Sequence, residues 1–202
     1  MSKLEGKRIL FLGSSVTYGA AAGGRSFVEE LAARTGCEAV KEAVSGTTLA
    51  DVGPESYVAR QRLLDPAMAA DLFVCQLSTN DATLGLPTGG PARAGEAFDR
   101  RTIAGAIETI VDYAQRTWHC PVVFYTNPRY DSEAYGAMVA LLKSLQRKWG
   151  FGIIDLWSDE AFNRISQEQR ARWMEDPVHP TLEGYREWWT PRFERELEAF
   201  VE

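Results

Sequence analysis

The amino-acid sequence predicts an α/β fold: one domain over residues 1–202, built as a three-layer α/β/α sandwich around a five-stranded, mainly parallel sheet. Three observations predict it. Short apolar runs alternate with longer amphipathic stretches along the chain, the pattern of strand–helix–strand crossovers. The run at 71–77 is almost continuous in apolar residues, as a strand covered on both faces should be. Segments rich in Ser, Thr, Asn and Gly follow the apolar runs, which places polar loops along one edge of the sheet.

The elements read in order as follows. Residues 8–12 form a first strand that stops at Gly13. Ser26-Phe27-Val28-Glu29 is a capping box: the serine hydroxyl accepts from an amide of the first turn and the glutamate reaches back. It opens a helix that Gly36 ends. Residues 37–43 form the second strand and 71–77 the third. Residues 102–117 carry helical spacing through Ile103, Ile107, Ile110, Val111 and Ala114. Residues 122–126 form the fourth strand. A helix over 133–149 turns Met138, Leu141, Leu142 and Leu145 to the core. Residues 152–156 form a short fifth strand, and helices follow over 159–173 and from Thr181 onward. The segment 83–98, with four glycines and two prolines, is the longest loop. It is either a roof over a pocket or a plain surface loop.

Composition narrows the class of function. The chain is 45% hydrophobic and 25% charged, with a net charge of −6, so it can bury a core and offers no basic surface for a nucleic acid. No apolar stretch approaches the roughly 18 residues of a membrane span. Cys37, Cys75 and Cys120 are odd in number and lack metal-ligand spacing. Cys75, inside an apolar run, reads as a core thiol. With no leader-like apolar segment at the N-terminus, the expected location is the cytoplasm, with a secreted mature form as the alternative.

In an open parallel sheet, ligands bind beyond the carboxyl ends of the strands. Ser15, Ser45–Thr48, Ser78–Asp81 and Thr126–Pro128 each follow a strand, and Asp176 and His179 follow the fifth strand and its helices. All fall on one expected edge. The loop after the first strand has three readings: a phosphate cradle, a nucleophilic serine, or a polar turn that caps the next helix. It is not a P-loop, nor the G-x-S-x-G elbow. The segment Asp176-Pro177-Val178-His179-Pro180 is more specific. Two prolines restrict the backbone, Thr181 can cap the helix that follows, and a carboxylate three residues before a histidine can take its Nδ1 proton, which turns Nε2 toward a serine. His119, the other histidine, precedes the fourth strand and belongs to the opposite edge. Trp157, Trp173, Trp188 and Trp189 read mostly as packing residues. Trp173, Met174, Tyr18 and Tyr130 are candidate pocket walls.

Four blocks together resemble the SGNH hydrolase superfamily, the GDSL esterases and lipases. Gly13-Ser14-Ser15-Val16-Thr17-Tyr18-Gly19 is similar to its G-D-S-L motif, with Ser15 at the nucleophile position. Gly46 in Val44-Ser45-Gly46-Thr47-Thr48 matches the oxyanion-hole glycine. Asn80 in Ser78-Thr79-Asn80-Asp81 matches the oxyanion-hole asparagine, and Asp176 to Pro180 match D-x-x-H-P. Ser14 stands where the family usually has aspartate, and Ser78-Thr79 replace a glycine-rich pair. The resemblance implies a flavodoxin-like SGNH hydrolase fold and a serine hydrolase that cleaves acyl esters. It implies a triad of Ser15, His179 and Asp176, and an oxyanion hole of the Ser15 and Gly46 amides with the Asn80 side chain. It implies no metal or cofactor, and a small-molecule ester as partner: an esterase, deacetylase, thioesterase or lysophospholipase substrate. The other readings are a flavodoxin-like nucleotide- or phosphate-binding module and a non-catalytic relative that binds acyl groups or glycans.

Overall fold

The structure is a computed structural model that describes residues 2–201. Five strands form one sheet in the order β2-β1-β3-β4-β5, with every neighbouring pair parallel. They are β1 (Arg8–Gly13), β2 (Glu38–Ala43), β3 (Leu72–Gln76), β4 (Val122–Tyr125) and β5 (Gly152–Ile154). The helices are α1 (Ser15–Tyr18), α2 (Phe27–Thr35), α3 (Tyr57–Arg60), α4 (Thr79–Thr83), α5 (Ile103–Trp118), α6 (Glu133–Trp149), α7 (Glu160–Asn163), α8 (Gln167–Trp173), α9 (Leu182–Gly184) and α10 (Thr190–Leu197). A π-helical turn, Tyr185–Trp189, joins α9 to α10.

Side chains that alternate along a strand serve opposite faces of the sheet. Leu10, Leu12, Phe73, Cys75, Val122 and Phe124 pack with α3, α5 and α6 on one face. Ile9, Phe11, Leu72, Val74, Val123, Tyr125 and Ile154 pack with α2 and the C-terminal helices on the other. Because β1 passes first to β2 on one side and then to β3 on the other, the chain changes direction between β1 and β3. That is the place where open α/β sheets form a ligand crevice.

Local signals explain much of this. Ser26 caps α2, with its hydroxyl accepting from the Val28 amide and Glu29 accepting from the Ser26 amide. One expectation needs correction. The stretch 159–173 is not one helix. Asn163 folds its amide back onto the Leu156 and Asp159 carbonyls, and a second capping box, Ser166 with Gln169, starts α8 afresh. Of the two readings of 83–98, the surface loop describes most of the segment, while Leu84 at its start lines a depression beside Gly46. The segment is strapped to the outside of α5 and α6, where the Ala92 amide donates to Glu108, the Ala92 carbonyl accepts from Lys148, and Phe98 packs on Trp149. Its course follows from Glu108, a fully buried carboxylate that needs these donors. The π-helical turn also has a local cause. Pro191 has no N–H to continue the ladder, so the helix widens just before it.

The second core is dense in aromatic rings. Phe27 is fully buried against Phe193 (centroids 4.0 Å apart), Tyr125 (5.3 Å), Phe11 (5.9 Å) and Trp189 (5.9 Å). It joins α2, the sheet and the last helix in one contact. No helix of the described residues is long and apolar enough to cross a membrane. Phe27→Ala is expected to lower the unfolding free energy by about 3–5 kcal/mol, the usual cost of emptying a buried aromatic site, as measured by denaturant titration. A loss below about 1 kcal/mol would show that the C-terminal helix docks without it.

Candidate active site

Ser15 begins α1, directly beyond the end of β1. The turn into it requires glycine at 13, since a Cβ there would lie 1.7 Å from Thr17 Oγ1. The loop is organised by Gln76, the last residue of β3. Its Oε1 accepts from the Ser14 amide (2.9 Å), the Thr17 hydroxyl (2.8 Å) and the Thr17 amide (3.3 Å). Two amides of this loop are therefore already satisfied, which leaves a poor cradle for phosphate.

The histidine loop is held as tightly. Met174 and Pro180 pair as an isolated bridge, and the Glu175 amide donates to the His179 carbonyl. Asp176 uses both carboxylate oxygens. Oδ1 accepts from the amides of Val178 (2.7 Å) and His179 (2.8 Å), and Oδ2 pairs with His179 Nδ1 at 2.7 Å. Pro177 has no amide of its own, so the two that follow it converge on Oδ1. The far side of the ring reaches the other end of the chain: His179 Nε2 lies 2.7 Å from Ser15 Oγ, across 164 residues of sequence. Partial burial alone would raise the Asp176 carboxyl. The hydrogen bond from His179 and the two amides outweigh it and hold the group below its ordinary value.

Gly46 sits in the left-handed region at φ +81°, which glycine adopts without cost. Nothing approaches the position a Cβ would take, so the loop opens toward the crevice. Among the described residues, the amides of Ser15 and Gly46 donate to no acceptor. Asn80, at the start of α4, directs its side-chain amide to the Thr47 carbonyl (2.8 Å) and toward Ser14 Oγ (3.3 Å). The next residue, Asp81, is buried and accepts from the amides of Leu49 (2.8 Å) and Ala50 (2.9 Å), which pins the Gly46 loop to α4. Burial pushes the Asp81 carboxyl up, with these amides acting against the rise. The structure thus brings Ser15, Gly46, Asn80, Asp176 and His179 to one edge. His119 lies at the other, in a left-handed turn at φ 52° after α5.

Sequence reasoning missed Gln76, Asp81 as a clamp, and Asn127. Asn127 Nδ2 donates to the Val178 carbonyl at 3.0 Å and so braces the residue before His179. The signal for Gln76 was present: a long polar side chain closing an otherwise apolar strand must find partners there. Of the proposed pocket walls, Met174 and Tyr130 line a depression of about 460 Å³ that also includes Asp176, Pro177 and Arg170. Trp173, Trp188 and Trp189 are packing residues of the second core, and Trp157 packs partly buried against the first. Tyr18 lies over Lys41. Cys37, Cys75 and Cys120 are buried free thiols. No group of three His, Cys, Asp or Glu among the described residues is arranged to hold a metal ion.

Comparison with known proteins bears on the family and the fold. The model of the GDSL-like lipase/acylhydrolase family matches residues 11–187. A crystal structure of a Lactobacillus plantarum protein superposes with a TM-score of 0.77 at 21% identity, over 97% of this chain and 96% of that one. A Bacteroides ovatus protein described as a GDSL-like lipase gives 0.70 at 16% identity, over 96% and 99%. A family two carbohydrate esterase from Clostridium thermocellum, solved with cellohexaose, gives 0.67 at 13% identity, over 96% of this chain and 64% of that one. At these identities the likeness shows a shared fold. No curated protein matches the sequence.

The Asp176 carboxyl titrates below its unfolded value of about 3.9, so its contribution to stability is complete above that value and is lost as pH falls through the lower, folded one. Asp176→Asn should therefore flatten this part of the acid limb when unfolding is followed against pH. An acid limb identical to wild type would show that the carboxylate is not held by its partners.

Proposed function

We propose that this chain, which belongs to the GDSL-like lipase/acylhydrolase family, is a serine hydrolase that cleaves acyl esters of small molecules through Ser15, His179 and Asp176. The observation that carries the reading is the continuous chain from Ser15 Oγ to His179 Nε2 to Asp176 Oδ2, each link 2.7 Å.

The chemistry follows from that chain. His179 Nε2 takes the hydroxyl proton while Ser15 Oγ adds to the ester carbonyl carbon. Asp176 accepts from Nδ1, which fixes the tautomer and stabilises the imidazolium. The oxyanion is received by the amides of Ser15 and Gly46 and by Asn80 Nδ2. Each such donor is typically worth about 10²–10³ in rate. Collapse of the tetrahedral intermediate breaks the bond to the alcohol oxygen, and the imidazolium returns its proton to that leaving group. Water, deprotonated by the same imidazole, then adds to the acyl carbon; the second tetrahedral intermediate collapses by breaking the bond to Ser15 Oγ, which takes back the imidazolium proton, and the acid leaves. Every proton moves through one ring, so His179 must be neutral at the start.

The phosphate-module reading has less support, because the loop amides it needs are given to Gln76. A purely binding relative would have no use for a hydroxyl, an imidazole and a carboxylate in series. The alcohol and acyl preferences are to be read from p-nitrophenyl esters, acetylated sugars and acyl-CoA thioesters.

Ser15→Ala should lower kcat on a p-nitrophenyl ester by at least about 10³-fold and abolish labelling by a fluorophosphonate. The unfolding midpoint should change little, because the only side-chain bond lost is the one to His179. Undiminished turnover, or labelling that persists in the variant, would remove Ser15 from the mechanism.

A further inference from the structure

Arg60, the last residue of α3, is almost wholly enclosed, at 3% exposure. A guanidinium is expensive to bury and must be matched by acceptors. Here every nitrogen is used. Nη1 donates to Glu42 Oε1 (2.9 Å) and Nε to the Glu55 carbonyl (2.8 Å). Nη2 donates both to the Gly13 carbonyl (2.7 Å) and to Thr47 Oγ1 (2.9 Å). The ring of Tyr57 lies 5.3 Å from its carbon.

The last two acceptors matter most. Gly13 ends β1, two residues before Ser15. Thr47 follows Gly46, and its carbonyl accepts from Asn80 Nδ2. One guanidinium nitrogen therefore joins the strand that presents the Ser15 amide to the loop that presents the Gly46 amide. Through the Thr47 backbone the same link reaches Asn80. Gly46 has no side chain by which its own amide can be aimed, and its φ of +81° is one that glycine can leave easily. The side chain of Thr47 is the nearest handle, and Arg60 holds it. Glu42, on β2, fixes the guanidinium from the far side at 2.9 Å.

We infer that Arg60 is a positioning residue that sets the spacing of the three oxyanion-hole donors. The inference rests on the ester-hydrolase reading above. Arg60 touches no reacting atom. It acts by fixing the strand end and the loop that carry two of these donors, and the Thr47 carbonyl on which Asn80 Nδ2 rests; a misplacement of about 1 Å in such a geometry can cost about 100-fold in rate. A planar fork is required. The single ammonium of lysine cannot reach Glu42, Glu55, Gly13 and Thr47 together.

The test uses Arg60→Lys and the milder Thr47→Val, which removes the hydroxyl that accepts from Arg60 (2.9 Å) and donates to the Val44 carbonyl (2.7 Å). The readouts are KM and kcat on a p-nitrophenyl ester, the inhibition constant of an alkylboronic acid that forms a tetrahedral adduct on Ser15, and the thermal midpoint. Arg60→Lys is expected to lower kcat by about 10- to 100-fold with KM little changed, and to weaken boronate inhibition by the same factor. The shape of the pH–rate profile should be retained, since His179 is untouched. Thr47→Val should move both quantities in the same direction by less, and should add little in the Arg60→Lys background, because the two side chains act as one unit. A drop in thermal midpoint alone, with kcat and boronate inhibition of the folded variants within about twofold of wild type, would make Arg60 a structural residue and overturn the inference. If Arg60→Lys does not fold, Thr47→Val decides by the same criterion. Wild-type protein that neither hydrolyses the ester nor binds the boronate would instead overturn the hydrolase reading, and the role of Arg60 with it.

Discussion

The closing of the C-terminal helices onto the first strand–helix unit is the constraint on which the site depends. Ser15 and His179 lie 164 residues apart and meet at 2.7 Å. The contact is made possible by packing elsewhere. Phe27 of α2 stacks on Phe193 of α10 over the second face of the sheet. Tyr185 Oη, fully buried, donates to the Val16 carbonyl at 2.8 Å, one residue from the serine. At the rim, Arg34 pairs with Glu194 and Arg186 with Glu30. The rim pairs are partly exposed and contribute little. Burial of the aromatic cluster supplies most of the driving force, and the tyrosine hydrogen bond sets the register. An error of one helical turn in that docking would carry His179 out of reach of Ser15.

Rigidity around the site comes from polar side chains that are themselves buried. Gln76 holds the serine loop, Asp81 the glycine loop, and Asn127 the residue before the histidine. Each lies at or beyond the carboxyl end of a strand, and each satisfies backbone groups that would otherwise be stranded away from water. Not all of the capacity is used. Gln76 Nε2 and Asn127 Oδ1 are buried without partners. Both lie beside the reacting groups, where an incompletely matched polar atom is tolerated in return for fixing a neighbour.

How much was legible in the sequence differs from element to element. The strands were, because burial on both faces leaves only apolar residues in 9–12 and 72–75. The capping box at Ser26 was, because its signal spans four residues. The order of the site segments along one sheet edge followed from strand polarity alone. The break at Asn163 was not read, although the Ser166–Gln169 box marks it. The course of 83–98 was not readable, since it depends on Glu108 finding Ala92 and Lys148 across the fold. Arg60 was the least visible. Nothing in the local sequence of α3 distinguishes a buried clamp from a solvated arginine, and its four acceptors come from four different segments.

The proposed mechanism requires that the ends of the chain assemble a nucleophile, a base and a set of oxyanion donors around a single point. A crystal structure of the protein after reaction with a phosphonate reports on that point directly. The mechanism predicts phosphorus bonded to Ser15 Oγ, with its charged oxygen about 3 Å from the Gly46 amide and Asn80 Nδ2 and His179 Nε2 facing the leaving-group position. An adduct on another residue, or an oxygen directed away from Gly46 and Asn80, would contradict it.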